Sequence, residues 1–150
     1  MIETQVYGWQ PVPGRHTQIG EFVCKLVFDD AHALEKYAAM GYFKDGELIG
    51  GSLFHNWHPE SGVIEITTAA ISKRWLTRRT AQTMLSFAFD GLKNQLVVLR
   101  VSERNENMLR IARAYGFSEN YIPRLRGRDE GEFIFTLTDD AWRAGRFYKP

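Results

Sequence analysis

Arg100-Val-Ser-Glu-Arg-Asn-Glu-Asn-Met-Leu-Arg-Ile-Ala-Arg-Ala-Tyr-Gly-Phe117 joins the end of a strand, an Asn-bearing turn, an amphipathic helix and a glycine stop. Just upstream, Leu96-Val-Val-Leu99 is a short apolar run suited to a strand covered on both faces. Met108, Ile111, Ala112 and Tyr115 then recur at helical spacing and form one stripe. Ser102 or Asn105 can cap that helix, and Gly116 supplies the left-handed residue after its last turn, a conformation that a side chain resists. Taken alone, the segment describes one strand-loop-helix unit of an α/β domain.

Working outward, Ala81, Met84, Leu85, Ala88, Phe89 and Leu92 give a nearly unbroken apolar stripe, so a helix is expected from Arg78 to Leu92. Before it, Val63 to Ile71 reads as a strand with Ile64, Ile66, Thr68 and Ala70 on one face and Glu65 on the other. His58-Pro-Glu-Ser-Gly62 is a turn, and Asp45-Gly46 suits a tight two-residue hairpin between Tyr42-Phe43-Lys44 and a strand from Glu47 to Trp57. A second helix is expected after Asp29-Asp30, with Leu34, Tyr37 and Ala38 inward and Gly41 ending it. Ile19, Phe22, Val23 and Leu26 mark a first helix, preceded by a strand from Ile2 to Trp9 that a Pro11 to Gly14 turn closes. At the other end come a strand from Tyr121 to Arg126, a turn at Asp129-Glu-Gly131, a strand from Glu132 to Leu137, and a helical turn capped by Thr138 and holding Trp142. The expected order is β, α, α, β, β, β, α, β, α, β, β.

At 150 residues with 25% charged and 44% hydrophobic side chains, the chain is expected to form one domain, residues 1–150, with a real core. No apolar run approaches the roughly 20 residues that span a bilayer, and the start shows no charged-then-apolar signal pattern, so a cytoplasmic protein is expected. Cys24 is the only cysteine, which excludes an internal disulfide and a thiolate metal cluster. The net charge of +1 hides a split between an acidic first half and a basic second half that holds the arginine clusters. That split suits a phosphate-rich ligand, a nucleic acid or an acidic partner alike. His55-x-x-His58-x-Glu60 has ligand-type side chains, but its spacing crosses a strand end and a proline turn, which opposes a metal site.

Asn105 at a helix start with Gly116-Phe117 eleven residues later, together with this order of elements, resembles the GNAT superfamily of acyltransferases. The ending from Phe133 to Trp142 resembles the final strand and tail of small members, while the first forty residues match least. The resemblance implies an α/β sandwich in which a mixed, mostly antiparallel central sheet carries helices on both faces. It implies an acetyl-CoA-dependent N-acyltransferase that acts on a primary amine of a small molecule or a protein. By the same resemblance, Thr68, Ala70, Ile71 and Ser72 would hold the pantetheine arm, Arg74, Thr77, Arg78 and Arg79 the pyrophosphate, and Asn105 would lie beside the coenzyme. Glu65 would take the amine proton, with His55 and His58 as runners-up, and Trp57, Phe54 and Tyr42 could line the acceptor pocket.

Two departures from the family pattern stand out. The pyrophosphate turn ordinarily carries glycines, whose missing Cβ lets phosphate oxygens approach the backbone, yet residues 63–90 contain none. The position four residues before Gly116, often a Tyr that protonates the departing thiolate, is Ala112. These departures suit a second expectation: a catalytically inactive GNAT-fold binding or assembly protein, for example a phage particle or accessory protein. A homodimer or other assembly partner is left open. Nucleic acid is the weaker expectation, because it would need the arginines at 73–79 and 124–128 to form one face.

Overall fold

The computed structural model describes residues 2–12 and 17–150. Seven strands form one sheet: β1 (Ile2–Val12), β2 (Tyr37–Lys44), β3 (Glu47–His58), β4 (Val63–Ala70), β5 (Leu96–Ser102), β6 (Ser118–Ile122) and β7 (Glu132–Thr138), in the spatial order β1-β2-β3-β4-β5-β7-β6. Every neighbouring pair is antiparallel except β4 with β5. Helices α1 (Gln18–Phe28), α2 (Arg78–Ser86), α3 (Glu106–Ala114) and α4 (Asp139–Ala144) complete the α+β fold.

The two faces of the sheet are covered differently. Helix α1 lies on one face, where Ile19, Val23 and Cys24 meet Tyr37, Ala39 and Leu53. It approaches closely because β3 carries Gly51 beneath it: a Cβ there would fall 2.8 Å from Val23 Cγ2 and 2.9 Å from Ile19 Cγ2. On the opposite face, Tyr42, Phe54, Ile64, Ile66 and Val97 pack against Leu85, Phe89, Leu109 and Trp142 in the larger core. Alternation along β3 sends Leu53 to the first face and Phe54 to the second, as period-two geometry requires.

Local signals place the elements. Asp45 (φ 51°) and Gly46 (φ 79°) make the hairpin turn between β2 and β3. Thr77 and Thr80 form a reciprocal capping box at the start of α2, which runs on through a π-helical turn, Phe87–Gly91, much as its apolar stripe predicts. Asn105 caps α3 by accepting the Met108 N–H at 3.2 Å, and Gly116 stops it at φ 84°. Thr138 caps α4, where Trp142 stacks on Phe89 at 5.1 Å between ring centroids.

The expected second helix is not there. Asp29, left-handed at φ 57°, ends α1, and Tyr37, Ala38 and Gly41 belong to β2. The physical reason is that Tyr37 to Tyr42 is buried on both faces of the sheet, so its continuous apolar run carries no period that separates strand from helix. The strand expected at Tyr121 to Arg126 runs instead over Ser118–Ile122, since Pro123 cannot donate to the ladder and Arg124 turns back at φ 66°. The first strand reaches Val12, past the expected end at Trp9, and the remainder of the expected Pro11 to Gly14 turn lies outside the described residues.

Candidate functional site

β4 and β5 are paired over only three positions, Val63 with Leu96, Ile64 with Val97 and Glu65 with Val98. Beyond Glu65 and Val98 the two strands diverge, although each keeps its outer neighbour: β4 stays on β3 to Ala70 and β5 stays on β7 to Ser102. The wedge that opens between them is the floor of a cavity of about 640 Å³. β4 and its extension contribute residues 66–73, β5 residues 99–102, and α2 and α3 supply Met84, Leu85, Met108, Ile111 and Tyr115. On the α1 side Leu26, Val27, Thr67, Ala69, Arg100 and Arg126 complete the wall, so the opening passes through the sheet from one face to the other.

The α1 side of the wedge holds a tight polar cluster. Thr67 Oγ1 and His55 Nε2 lie 2.7 Å apart, and Glu65 Oε2 approaches the same nitrogen at 3.6 Å. Burial, helped by the positive charge of Arg100, holds His55 down at a pKa of about 4, so the imidazole is neutral at pH 7. Burial pushes the Glu65 carboxyl up, opposed by its contact with Asn56 and by the Arg100 charge. Next along lies Glu132, 1% exposed, whose two oxygens are divided between two arginines. Arg100 reaches Oε1 through Nε at 2.8 Å and Nη2 at 2.6 Å, and Arg126 reaches Oε2 through Nε at 2.6 Å. Among the described residues no three His, Cys, Asp or Glu side chains are grouped to hold a metal ion, and no helix is long and apolar enough to cross a membrane.

No family model matches the sequence, and no curated protein does. Solved structures do. SpeG spermidine N-acetyltransferase from Vibrio cholerae superposes with a TM-score of 0.63 at 14% identity, over 71% of this chain and 66% of that one. The ribosomal-protein-S5-alanine acetyltransferase from Vibrio fischeri gives 0.61 at 14% identity, over 76% and 64%. The protein yncA from Salmonella typhimurium, solved with its cofactor acetyl-CoA, gives 0.59 at 16% identity, over 68% and 64%. The fold is that of the GNAT acetyltransferases. The present chain spans just under two thirds of the length of each of these three relatives.

Within this GNAT fold the expected site residues fall into two groups. Thr68, Ala70, Ile71, Ser72 and Asn105 line the cavity. Arg74, Thr77, Arg78 and Arg79 are exposed beyond its lining, at the start of α2. The Thr77 hydroxyl is engaged in the capping box, accepting from Thr80 N at 3.1 Å, while Thr77 N–H donates to Thr80 Oγ1 at 2.8 Å. The Arg78 guanidinium sits 5.6 Å over the Phe147 ring, which packs on Tyr115 of the cavity wall, so the start of α2 and the end of α3 meet at the mouth. Glu65 stands behind the wall rather than on it, and Thr67 is the cluster member that faces the cavity. His58 is exposed and bonded to Asn56 at 3.1 Å.

The expected aromatic pocket is a correction. Tyr42 and Phe54 are fully enclosed in the larger core, and Trp57 donates to Asn94 at 3.0 Å, so none of the three lines the cavity. Tyr115, read as core, is half-buried and forms cavity wall together with Met108 and Ile111. Sequence reasoning passed over Thr67, Arg100, Arg126 and Glu132. The available signal was a charge inside an apolar strand, Arg100 after Leu96-Val-Val-Leu99, facing a second one at the head of β7.

Proposed function

We propose that this chain is an acetyl-CoA-dependent N-acyltransferase acting on a primary amine. The carrying observation is the β4/β5 wedge, a slot open through the sheet with unpaired strand backbone along its floor and a titratable cluster on one side only. Its shape suits the coenzyme. Residues 66–72 would bind the amides of the pantetheine arm along a strand that lacks its inner partner, and Asn105 at the head of α3 would flank it. At the α2 end no glycine is present, so the phosphates would rest on the free N–H groups of the first helical turn and on the charges of Lys73, Arg78 and Arg79. Bound acetyl-CoA would supply the thioester: the amine nitrogen bonds to its carbonyl carbon, the carbon–sulfur bond breaks, and the coenzyme leaves as a thiolate that takes a proton from solvent.

The chain's own part is to orient the amine and take up a proton. The Thr67 hydroxyl faces the cavity and can accept that proton while its own passes by way of His55 Nε2, 2.7 Å away, toward the Glu65 carboxylate, the buried imidazole being too weak a base to keep it. Glu65 beside the same nitrogen offsets the charge that forms, and its raised pKa makes it a stronger base than a surface carboxylate. The test is calorimetric titration of acetyl-CoA, followed by thiol release across a panel of amines. Saturable micromolar binding and amine-dependent thiol release are expected. Thr67→Val should lower kcat by about ten-fold or more, in the range of a lost proton-transfer group, at unchanged coenzyme affinity. Absence of both binding and turnover would sink the proposal and leave a GNAT fold kept for binding or assembly.

A further inference from the structure

The arginines of the α1 face bear on the acceptor. Three cations line the cavity, Lys73, Arg100 and Arg126, and among the described residues no carboxylate does. Lys73 belongs to the α2 end. Arg100 and Arg126 lie on the opposite face of the sheet, for Val97 and Val101 of β5 point into the larger core and Arg100 alternates away from them. Both are anchored on Glu132, and Glu65 feels the Arg100 charge as well, but these two carboxylates lie behind the lining, so the face turned to the cavity presents only the guanidiniums. Glu132 accepts two N–H groups on Oε1 and one on Oε2, and each guanidinium keeps N–H donors that Glu132 does not use. Arg100 and Arg126 are 45% and 31% exposed, so those donors are within reach of a ligand.

A purely structural role accounts poorly for this arrangement. Burying a carboxylate costs several kcal/mol that a well-packed apolar group would avoid. Glu132 instead fixes two planar forks whose geometry matches a carboxylate or phosphonate, and it removes much of the entropy that two long side chains would lose on binding one. β5 advances about 3.3 Å per residue. Arg100 therefore stands two residues beyond the last paired position, on the same face as Glu65 and Thr67, where the amine is handled.

We infer that the acceptor is an amine that also bears an anionic group, an amino acid or close analogue, and that Arg100 and Arg126, oriented by Glu132, select it by binding that anion. The inference rests on the acyl-transfer reading for the amine, but the anion site can be measured without turnover. The probes are matched pairs that differ by one carboxylate, such as N-acetyltryptophan with N-acetyltryptamine and N-acetyltyrosine with N-acetyltyramine, together with further N-acetyl amino acids and N-acetylspermidine. Each is titrated calorimetrically into the intact protein, with and without coenzyme A.

At least one pair should favour the acid by ten-fold or more, and N-acetylspermidine should bind more weakly than that acid. Arg126→Gln should bring the ratio within the pair toward one, while Arg126→Lys should restore part of it. A melting curve checks that each variant is folded. If no pair favours the carboxylate, or if N-acetylspermidine binds best, the inference fails even though coenzyme A binds. If the acids are preferred but coenzyme A is not bound, the anion site stands and the acyl-transfer reading falls.

Discussion

Glu132 sits at the head of β7 with 1% of its surface exposed and two arginines on it. Removing its charge while keeping its size strands both guanidiniums beside a cavity. Glu132→Gln is therefore expected to cost about 3–5 kcal/mol, which for a domain of this size lowers Tm by roughly 10 °C, as thermal unfolding by circular dichroism would read. His55 gives a pH signature of its own. Its folded pKa of about 4 lies below the ordinary 6.5, so the unfolded chain binds more protons between those values. The stability it contributes is complete above about pH 6.5 and is lost as pH falls toward 4, to the extent of about 3 kcal/mol. His55→Gln should flatten that part of a stability–pH curve from urea titrations, and an unchanged slope would remove His55 as its source. Glu132 did not announce itself in the sequence, and His55 did so only as a runner-up base, with no sign of its burial. A histidine in a strand and a glutamate before an apolar run both read as half-exposed until β3, β4, β5 and β7 are known to lie side by side.

The elements that were legible are those whose signals are local. The Asp45-Gly46 hairpin, the Asn105 cap, the Gly116 stop and the long stripe of α2 all depend on neighbours within a few residues and appear where they were expected. Tyr37 to Gly41 of β2 was read as helix because burial on both faces erases periodicity, and only its pairing with β1 and β3 decides the matter. The α3 stripe exposes a different limit: spacing identifies an inward face but not whether a core or a cavity lies opposite, and Met108, Ile111 and Tyr115 face a cavity. Helix α1 sits close on β3 at Gly51. Gly51→Ala would push its Cβ within 2.8 Å of Val23 and 2.9 Å of Ile19, so the helix must lift or a rotamer must shift. A loss of about 1–3 kcal/mol is expected, seen as a lower urea midpoint at unchanged slope. An unaltered midpoint would mean that α1 already rides with slack.

At the scale of the molecule, one sheet carries two unequal cores and a slot that joins its faces. A ligand that fills the slot binds only the folded chain, so acetyl-CoA at 100 times its dissociation constant should add about 2.7 kcal/mol, a rise in Tm of roughly 5–10 °C. No rise at millimolar coenzyme would contradict the acyl-transfer proposal. The early end of the β4/β5 ladder has one further consequence, visible before any ligand is added. A sheet of seven strands ordinarily has two rims, at β1 and β6 here, but the divergence after Glu65 and Val98 creates an interior rim at its centre. Amide protons that point into it, from residues 66–70 and 99–102, should trade with deuterium at the pace of frayed margins while those turned toward β3 and β7 stay protected for far longer. The middle of the sheet would then exchange in an alternating pattern, fast and slow residue by residue, which a strand-like guest lying in the gap would abolish.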